Sequence, residues 1–232
     1  MALLVEHILA TRSRRVAVDG VDGAGKTIFA SGLTRALENH GTTVVSVSID
    51  DFHHRREVRY RQGKDSPEGY WLDSFDHDAL RADAIEPLGT GGSGRYRTAS
   101  HDLATDDLVD GGWQTAQPNT VLLVEGVFLL RDELLDCWDF SIFLDVPFEV
   151  TARRMAERDG SHSDPEHPSM RRYVEGQRIY LRECAPRERA DVIIDNTDPA
   201  APVVTGVAPR SSDWCSLVEH SRISRSGAGR GA

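Results

Sequence analysis

A chain of 232 residues, 39% hydrophobic and 28% charged, suits one α/β core and leaves little room for two compact domains. Its formal net charge of −10 disfavours a nucleic-acid partner, and its longest apolar runs are strand-sized, too short to span a bilayer. Cys137, Cys184 and Cys215 lack metal-ligand spacing and the N-terminus lacks a secretory pattern, so reduced thiols and a cytoplasmic location are expected.

In chain order, residues 15–19 read as a buried strand. Residues 26–38 carry helical spacing, with Ile28, Phe29, Leu33 and Leu37 expected on one face and Gly41 as the stop. The β-branched run 43–49 is a second strand and ends at Asp50 and Asp51. Residues 55–75 read as a long polar loop, and 76–86 as a helix with Asp76 as candidate N-cap. A glycine-rich joint spans 89–94, and 95–117 fits no single pattern. Apolar strands follow at 120–124 and 141–146, with a helix over 148–158, a Gly/Ser/His/Pro segment at 160–168, a helix over 169–184 and a last strand at 190–195. From residue 199 the composition turns to Ala, Gly, Ser, Pro and Arg, which predicts a folded domain over 1–198 and a poorly ordered tail over 199–232. Strands alternating with helices imply a mostly parallel sheet covered on both faces, with ligands beyond the carboxyl ends of its strands.

Three motifs converge on that edge. Gly20, Val21, Asp22, Gly23, Ala24, Gly25, Lys26 and Thr27 form a P-loop between strand and helix. Glycines let the backbone turn its N–H groups onto a phosphate, Lys26 reaches the outer phosphates, and Thr27 ligates Mg²⁺; Ile28 completes the cofactor-binding set. Asp50 can take a proton from a hydroxyl or support the metal, and the Asp pair reads equally as a solvated turn. Glu125, ending a fully apolar strand, reads as a second metal carboxylate or as a residue turned outward after the strand. Arg153, Arg154 and Arg158 near a helix end read as phosphate-closing arginines or as a solvated basic face.

With Asp50, Asp51, Phe52 and His53, and then Ser74, Phe75, Asp76 and His77, the P-loop resembles the uridine kinase family, a group related to phosphoribulokinase and bacterial pantothenate kinase. Tyr96 and His101, Glu125 with Gly126, Arg154 through Asp159, and residues 190–194 fall in the same order, so the resemblance covers about residues 12–198. It implies a three-layer P-loop NTPase fold with a mobile lid at about 158–172. It also implies ATP and Mg²⁺ as cofactors, and catalysis by Asp50, Lys26, Arg154 and Arg158. Asp50, His53, Asp76, Tyr96 and His101 would bind the nucleoside, and Thr27 and Glu125 the metal. His53 stands where the family has a tyrosine, and Arg172 stands where eukaryotic members carry a nucleoside-contacting glutamine.

The expected activity is transfer of the γ-phosphoryl of ATP to the 5′-hydroxyl of uridine or cytidine, as in pyrimidine salvage, with a homo-oligomer as a compatible state. Rival readings are a kinase of another hydroxyl acceptor (pantothenate, a sugar phosphate, another ribonucleoside) or a weakly catalytic nucleotide-binding regulator. A Ras-type switch would need an Asn-Lys-x-Asp guanine reader, and a transport ATPase a Ser-Gly-Gly-Gln signature; neither is present.

Overall fold

A computed structural model describes residues 1–207. Its central sheet is built from β1 (Arg15–Gly20), β2 (Val44–Ser48), β3 (Val121–Gly126), β4 (Phe140–Asp145), β5 (Val192–Asp195) and β6 (Val203–Val207), in the order β6-β5-β4-β1-β3-β2. The first five strands run parallel, and β6 is antiparallel to β5. Register brings Val18 opposite Glu125 and Glu125 opposite Ser48, so the P-loop, β3 and β2 all leave the sheet at one edge.

Alternation along β1 splits the core in two. Val16 and Val18 join Leu123, Ile142 and Leu144 on one face, under α1 (Ala2–Thr11) and α2 (Lys26–Glu38). Ala17 joins Leu122 and Val124 on the other, where Phe52, Tyr70, Phe75, Phe128 and Tyr180 pack. That second face is covered by α3 (Pro67–Asp73), by α4, and by α6 (Arg171–Cys184). Here α4 is a continuous run of His77–Leu80, a wide turn Arg81–Ile85 and Glu86–Leu88. Between β4 and α6 lies α5 (Phe148–Asp159), which ends on Gly160 in the left-handed conformation. α3 and α6 touch backbone to side chain, because a Cβ on Gly176 would sit 2.8 Å from Tyr70 Cδ1 and 2.9 Å from the Pro67 carbonyl.

Several expectations need correction. Phe29, Ala30, Leu33 and Leu37 form the buried stripe of α2, but Ile28 is 72% exposed and faces away from it. The expected loop 55–75 contains a turn of helix at Arg56–Arg59 and all of α3. Ser66 caps α3, its hydroxyl accepting from the Gly69 N–H at 3.0 Å, and Pro67 occupies the first turn. The helix α1 was not anticipated. The ordered domain also passes residue 198, because β6 pairs with β5; the rest of the expected tail, with Cys215, lies outside the described residues. Residues 95–117 hold two short antiparallel ladders, Arg95–Tyr96 with Gln114–Thr115 and His101–Asp102 with Asp107–Leu108.

Beneath the P-loop, Asp19 is fully buried. Its carboxylate accepts from the Leu130 N–H at 3.1 Å, the Gly20 N–H at 2.6 Å and the Tyr180 hydroxyl. Burial nevertheless outweighs these bonds and raises its pKa to about 6.

Two predictions follow from this packing. Phe128 lies fully buried with ring centres 5.0 Å from Trp71 and 5.1 Å from Tyr180. Phe128→Ala is expected to lower unfolding free energy by about 3–5 kcal/mol in urea titration. Asp19 holds its proton more tightly folded than unfolded, so its contribution favours the native state at low pH and is lost as pH rises through about 6. The stability of the wild type relative to Asp19→Asn should therefore fall by about 1 kcal/mol between pH 5 and 7; a pH-independent difference would place the titration elsewhere.

Candidate active site

The P-loop is held residue by residue. The Asp22 N–H donates to Gln177 Oε1 at 2.5 Å, and its carboxylate accepts from the Tyr70 hydroxyl at 2.9 Å and from Gln177 Nε2 at 3.2 Å. The Gly23 carbonyl accepts from Arg154 Nη1 at 3.2 Å, and the Ala24 carbonyl from Asn196 Nδ2 at 2.7 Å. Gly23 and Gly25 have φ of +75° and +89°, where a side chain is strained; a Cβ on Gly25 would also lie 2.8 Å from Asn196 Nδ2. Their sequence positions thus answer both a conformational and a spatial demand.

Lys26 and Thr27 open α2. The Lys26 ammonium donates to the Val21 carbonyl at 3.0 Å, across the loop, and the Thr27 hydroxyl donates to Glu125 Oε1 at 3.2 Å. Asp50 sits in the tight turn Ile49–Phe52 after β2, its N–H donating to the Ser48 hydroxyl at 3.3 Å. Burial pushes Asp22 and Asp51 up; Asp22 is relieved by Lys26 and its Tyr70 bond, whereas Asp50 and Glu125 raise Asp51 further. Among the described residues no group of three or more His, Cys, Asp or Glu side chains could hold a metal by itself. A hydroxyl and one or two carboxylates beside a phosphate cradle nevertheless fit Mg²⁺, which fills its remaining positions with water and phosphate oxygens.

Two cavities meet here. One, of about 340 Å³, is lined by the P-loop with Lys26, Thr27 and Ile28, and by Asp50, Glu125 and Arg158. The other, of about 510 Å³, extends under residues 159–173 and includes His53, Arg59, Tyr60, Phe75, Arg172 and Tyr173. Asp22, Asp50 and Arg158 border both. His53 lies against the Phe75 ring at 4.4 Å, its Nδ1 donates to the Asp50 carbonyl at 2.8 Å, and burial lowers its pKa, favouring the neutral ring.

Other residues singled out in the sequence stand elsewhere. Arg154 lines neither cavity; besides Gly23 it donates to the Asn196 and Thr197 carbonyls at 2.9 Å, so its guanidinium joins the P-loop to the end of β5. Arg158 borders both cavities and pairs with Asp159 at 2.6 Å. Asp76 caps α4, accepting from the Ala79 N–H at 2.9 Å. Tyr96 is buried with its hydroxyl 3.3 Å from Gln114, and His101 is buried with Nε2 3.2 Å from Asp106; neither lines either of these two cavities. Gln177 and Tyr70, which hold Asp22, escaped the sequence reading, as did Arg59 and Tyr60. For Arg59, Tyr60 and Tyr70 the available signal was the length of the polar segment 55–75 and its aromatic residues.

Residues 16–166 match the model of the phosphoribulokinase / uridine kinase family. The chain is 29% identical to the uridine kinase of Proteus mirabilis (strain HI4320) over 155 residues, covering 62% of this chain and 67% of the relative. It is 26% identical to the uridine kinase of Escherichia coli (strain K12) over 193 residues, covering 77% and 85%. Among solved structures, a possible uridine kinase from Bacillus stearothermophilus superposes with a TM-score of 0.65 at 26% identity, covering 83% of this chain and 95% of that one. Phosphoribulokinase from Rhodobacter spheroides shares the fold, with a TM-score of 0.55 at 15% identity over 89% of this chain and 85% of its own. The chain belongs to the phosphoribulokinase / uridine kinase family of kinases.

Proposed function

We propose that the chain transfers the γ-phosphoryl group of ATP to a hydroxyl of a small acceptor. The observation that carries this reading is the junction of the two cavities at Asp22, Asp50 and Arg158, with the P-loop, Lys26 and Thr27 on one side of it. The relatives' names make the 5′-hydroxyl of uridine or cytidine the first acceptor to test.

In this reading the P-loop amides and Lys26 hold the phosphate chain. Thr27 and Glu125 hold Mg²⁺, which when bound offsets charge on the phosphoryl oxygens. Asp50 orients the acceptor hydroxyl and receives its proton. The acceptor oxygen bonds to the γ-phosphorus, the bond to the bridging oxygen breaks, and ADP leaves. Arg158 offsets charge on the transferring group, and residues 158–172 act as the lid that excludes water. Arg154 holds the loop in shape rather than meeting the phosphoryl group.

ADP release from purified protein with Mg²⁺ and ATP, with and without uridine or cytidine, tests the activity. Asp50→Asn should lower turnover by about two to four orders of magnitude while ATP binding persists; ordinary turnover would remove Asp50 from this role. The two arginines should separate kinetically. Arg158→Ala is expected to act mainly on kcat, and Arg154→Ala to raise KM for ATP about tenfold and lower the thermal midpoint. The reverse pattern would restore Arg154 as the residue that meets the phosphoryl group.

A further inference from the structure

Three carboxylates border the larger cavity: Asp22, Asp50 and Asp159. Two of them are occupied. Asp50 receives the proton in the reaction proposed above, and Asp159 holds the Arg158 guanidinium with both oxygens, at 2.7 Å and 2.6 Å. Asp22 belongs to the P-loop and has no role yet on this side, although it borders both cavities as Asp50 does. Asp76, which the family resemblance sets against the nucleoside, borders neither cavity. One of its oxygens caps α4 and the other stands 3.7 Å from His54 Nδ1.

The two oxygens of Asp22 differ. Oδ2 accepts from the Tyr70 hydroxyl at 2.9 Å and from Gln177 Nε2 at 3.2 Å. Oδ1 accepts no hydrogen bond among the described residues, and it is not one of the atoms sealed from solvent without a partner. It is therefore open to the cavities. A carboxylate in a phosphate-binding loop works against the loop: it draws on Lys26 and Arg158, and it repels Asp50 and a bound triphosphate. Burial raises its pKa, Lys26 and the Tyr70 bond lower it, and Asp50 raises it again. Keeping a charge there is costly, and a donor arriving on Oδ1 offsets that cost. Tyr70 and Gln177 hold the other oxygen, so Oδ1 is fixed in position before anything binds.

We infer that Asp22 is a specificity-determining residue for the acceptor: its Oδ1 accepts a hydrogen bond from a second hydroxyl of the acceptor while Asp50 holds the hydroxyl that reacts. This deepens the phosphotransferase reading and rests on it. Asp22 takes no proton: the reacting oxygen gains the γ-phosphoryl group, Asp50 receives the proton, and ADP departs. Two hydroxyls held by two carboxylates at one junction fix the reacting oxygen through two points instead of one. The second hydroxyl also brings a hydrogen-bond donor to the carboxylate that repels the triphosphate, so acceptor and ATP each favour the binding of the other.

The test compares acceptors that differ by one hydroxyl: uridine with 2′-deoxyuridine and with 3′-deoxyuridine, and glycerol with 1,3-propanediol. ADP release is measured with MgATP. At least one deoxy member should lose about ten- to a hundredfold in kcat/KM. Asp22→Asn should shrink that ratio about tenfold, acting mainly on the hydroxylated member. Tyr70→Phe is the control for loop shape: it removes a bond to Oδ2 and should slow both members alike, leaving the ratio in place. If Asp22→Asn fails to fold, Asp22→Ser is measured instead, and the ratio should fall likewise.

Equal turnover of hydroxylated and deoxy members in the wild type overturns the role of Asp22 and leaves the kinase reading standing. So does an unchanged ratio in the Asp22 variant, or a ratio that falls as far in Tyr70→Phe as in Asp22→Asn. Turnover of no acceptor in the series, with Mg²⁺ and a non-hydrolysable ATP analogue still bound, overturns the proposal and leaves the donor site. Failure to bind the analogue at all overturns the kinase reading and this proposal with it.

Discussion

Everything in the active region depends on holding three consecutive P-loop residues against their own tendency to relax. A loop whose amides point inward at an anion leaves its carbonyls pointing outward, and those carbonyls need donors. The Gly23 carbonyl receives Arg154 and the Ala24 carbonyl receives Asn196, while Gln177 and Tyr70 fix Asp22. The donors come from α5, from the end of β5, from α6 and from α3, so four separate parts of the chain must dock before the loop has a defined shape. Preorganisation of this kind is what lets dipoles act on a phosphate without reorganising first.

The same arrangement explains where buried charge is tolerated. Asp19 lies below the loop with donors from Tyr180, Leu130 and Gly20, and still titrates near 6 because burial dominates. Asp22 faces Lys26 and a phenol, and burial raises it too. Two aspartates three positions apart thus stand at the base of an anion site, Asp19 buried and Asp22 at the border of both cavities. Both offset the positive field of Lys26 and the α2 N-terminus, Asp22 from the border of the cavity and Asp19 from below it. Asp51 shows what happens to a carboxylate among its own kind: desolvation first, then the charges of Asp50 and Glu125, raise its pKa, and of the pair it is Asp50 that borders both cavities.

How much of this was legible depends on how local each signal is. The P-loop, Asp50 and Glu125 sit at the ends of apolar strands, and strand ends of a parallel sheet share an edge, so pattern alone placed these residues around one cavity. Asp76 as an N-cap was equally legible, because a cap is read within four residues. Arg154 and Arg158, one helical turn apart, could not be told apart by spacing; what separates them is the turn after β5, forty residues away in sequence, whose carbonyls Arg154 reaches. Tyr96 and His101 were placed by resemblance, and their burial follows from the ladders of 95–115, whose pairing no periodicity announced. The Ser66 and Pro67 start of α3 was a local signal that the surrounding Arg, Gly and Asp residues obscured.

One helix joins the two halves of the site. Arg172 and Tyr173 line the larger cavity from the first turn of α6, and Gln177, one turn after Tyr173, holds Asp22 of the P-loop. The Gln177 amide also donates to the Tyr173 carbonyl at 2.9 Å, so the residue that fixes the loop is tied to the turn that borders the larger cavity. The close approach at Gly176 leaves α6 no freedom to slide against α3, which carries Tyr70, the other partner of Asp22. Distances across the junction are therefore set by helix geometry and not by a flexible loop. A phosphoryl transfer in line between two bound molecules gains most from that constraint, because an error of about 1 Å in placement costs roughly a hundredfold in rate.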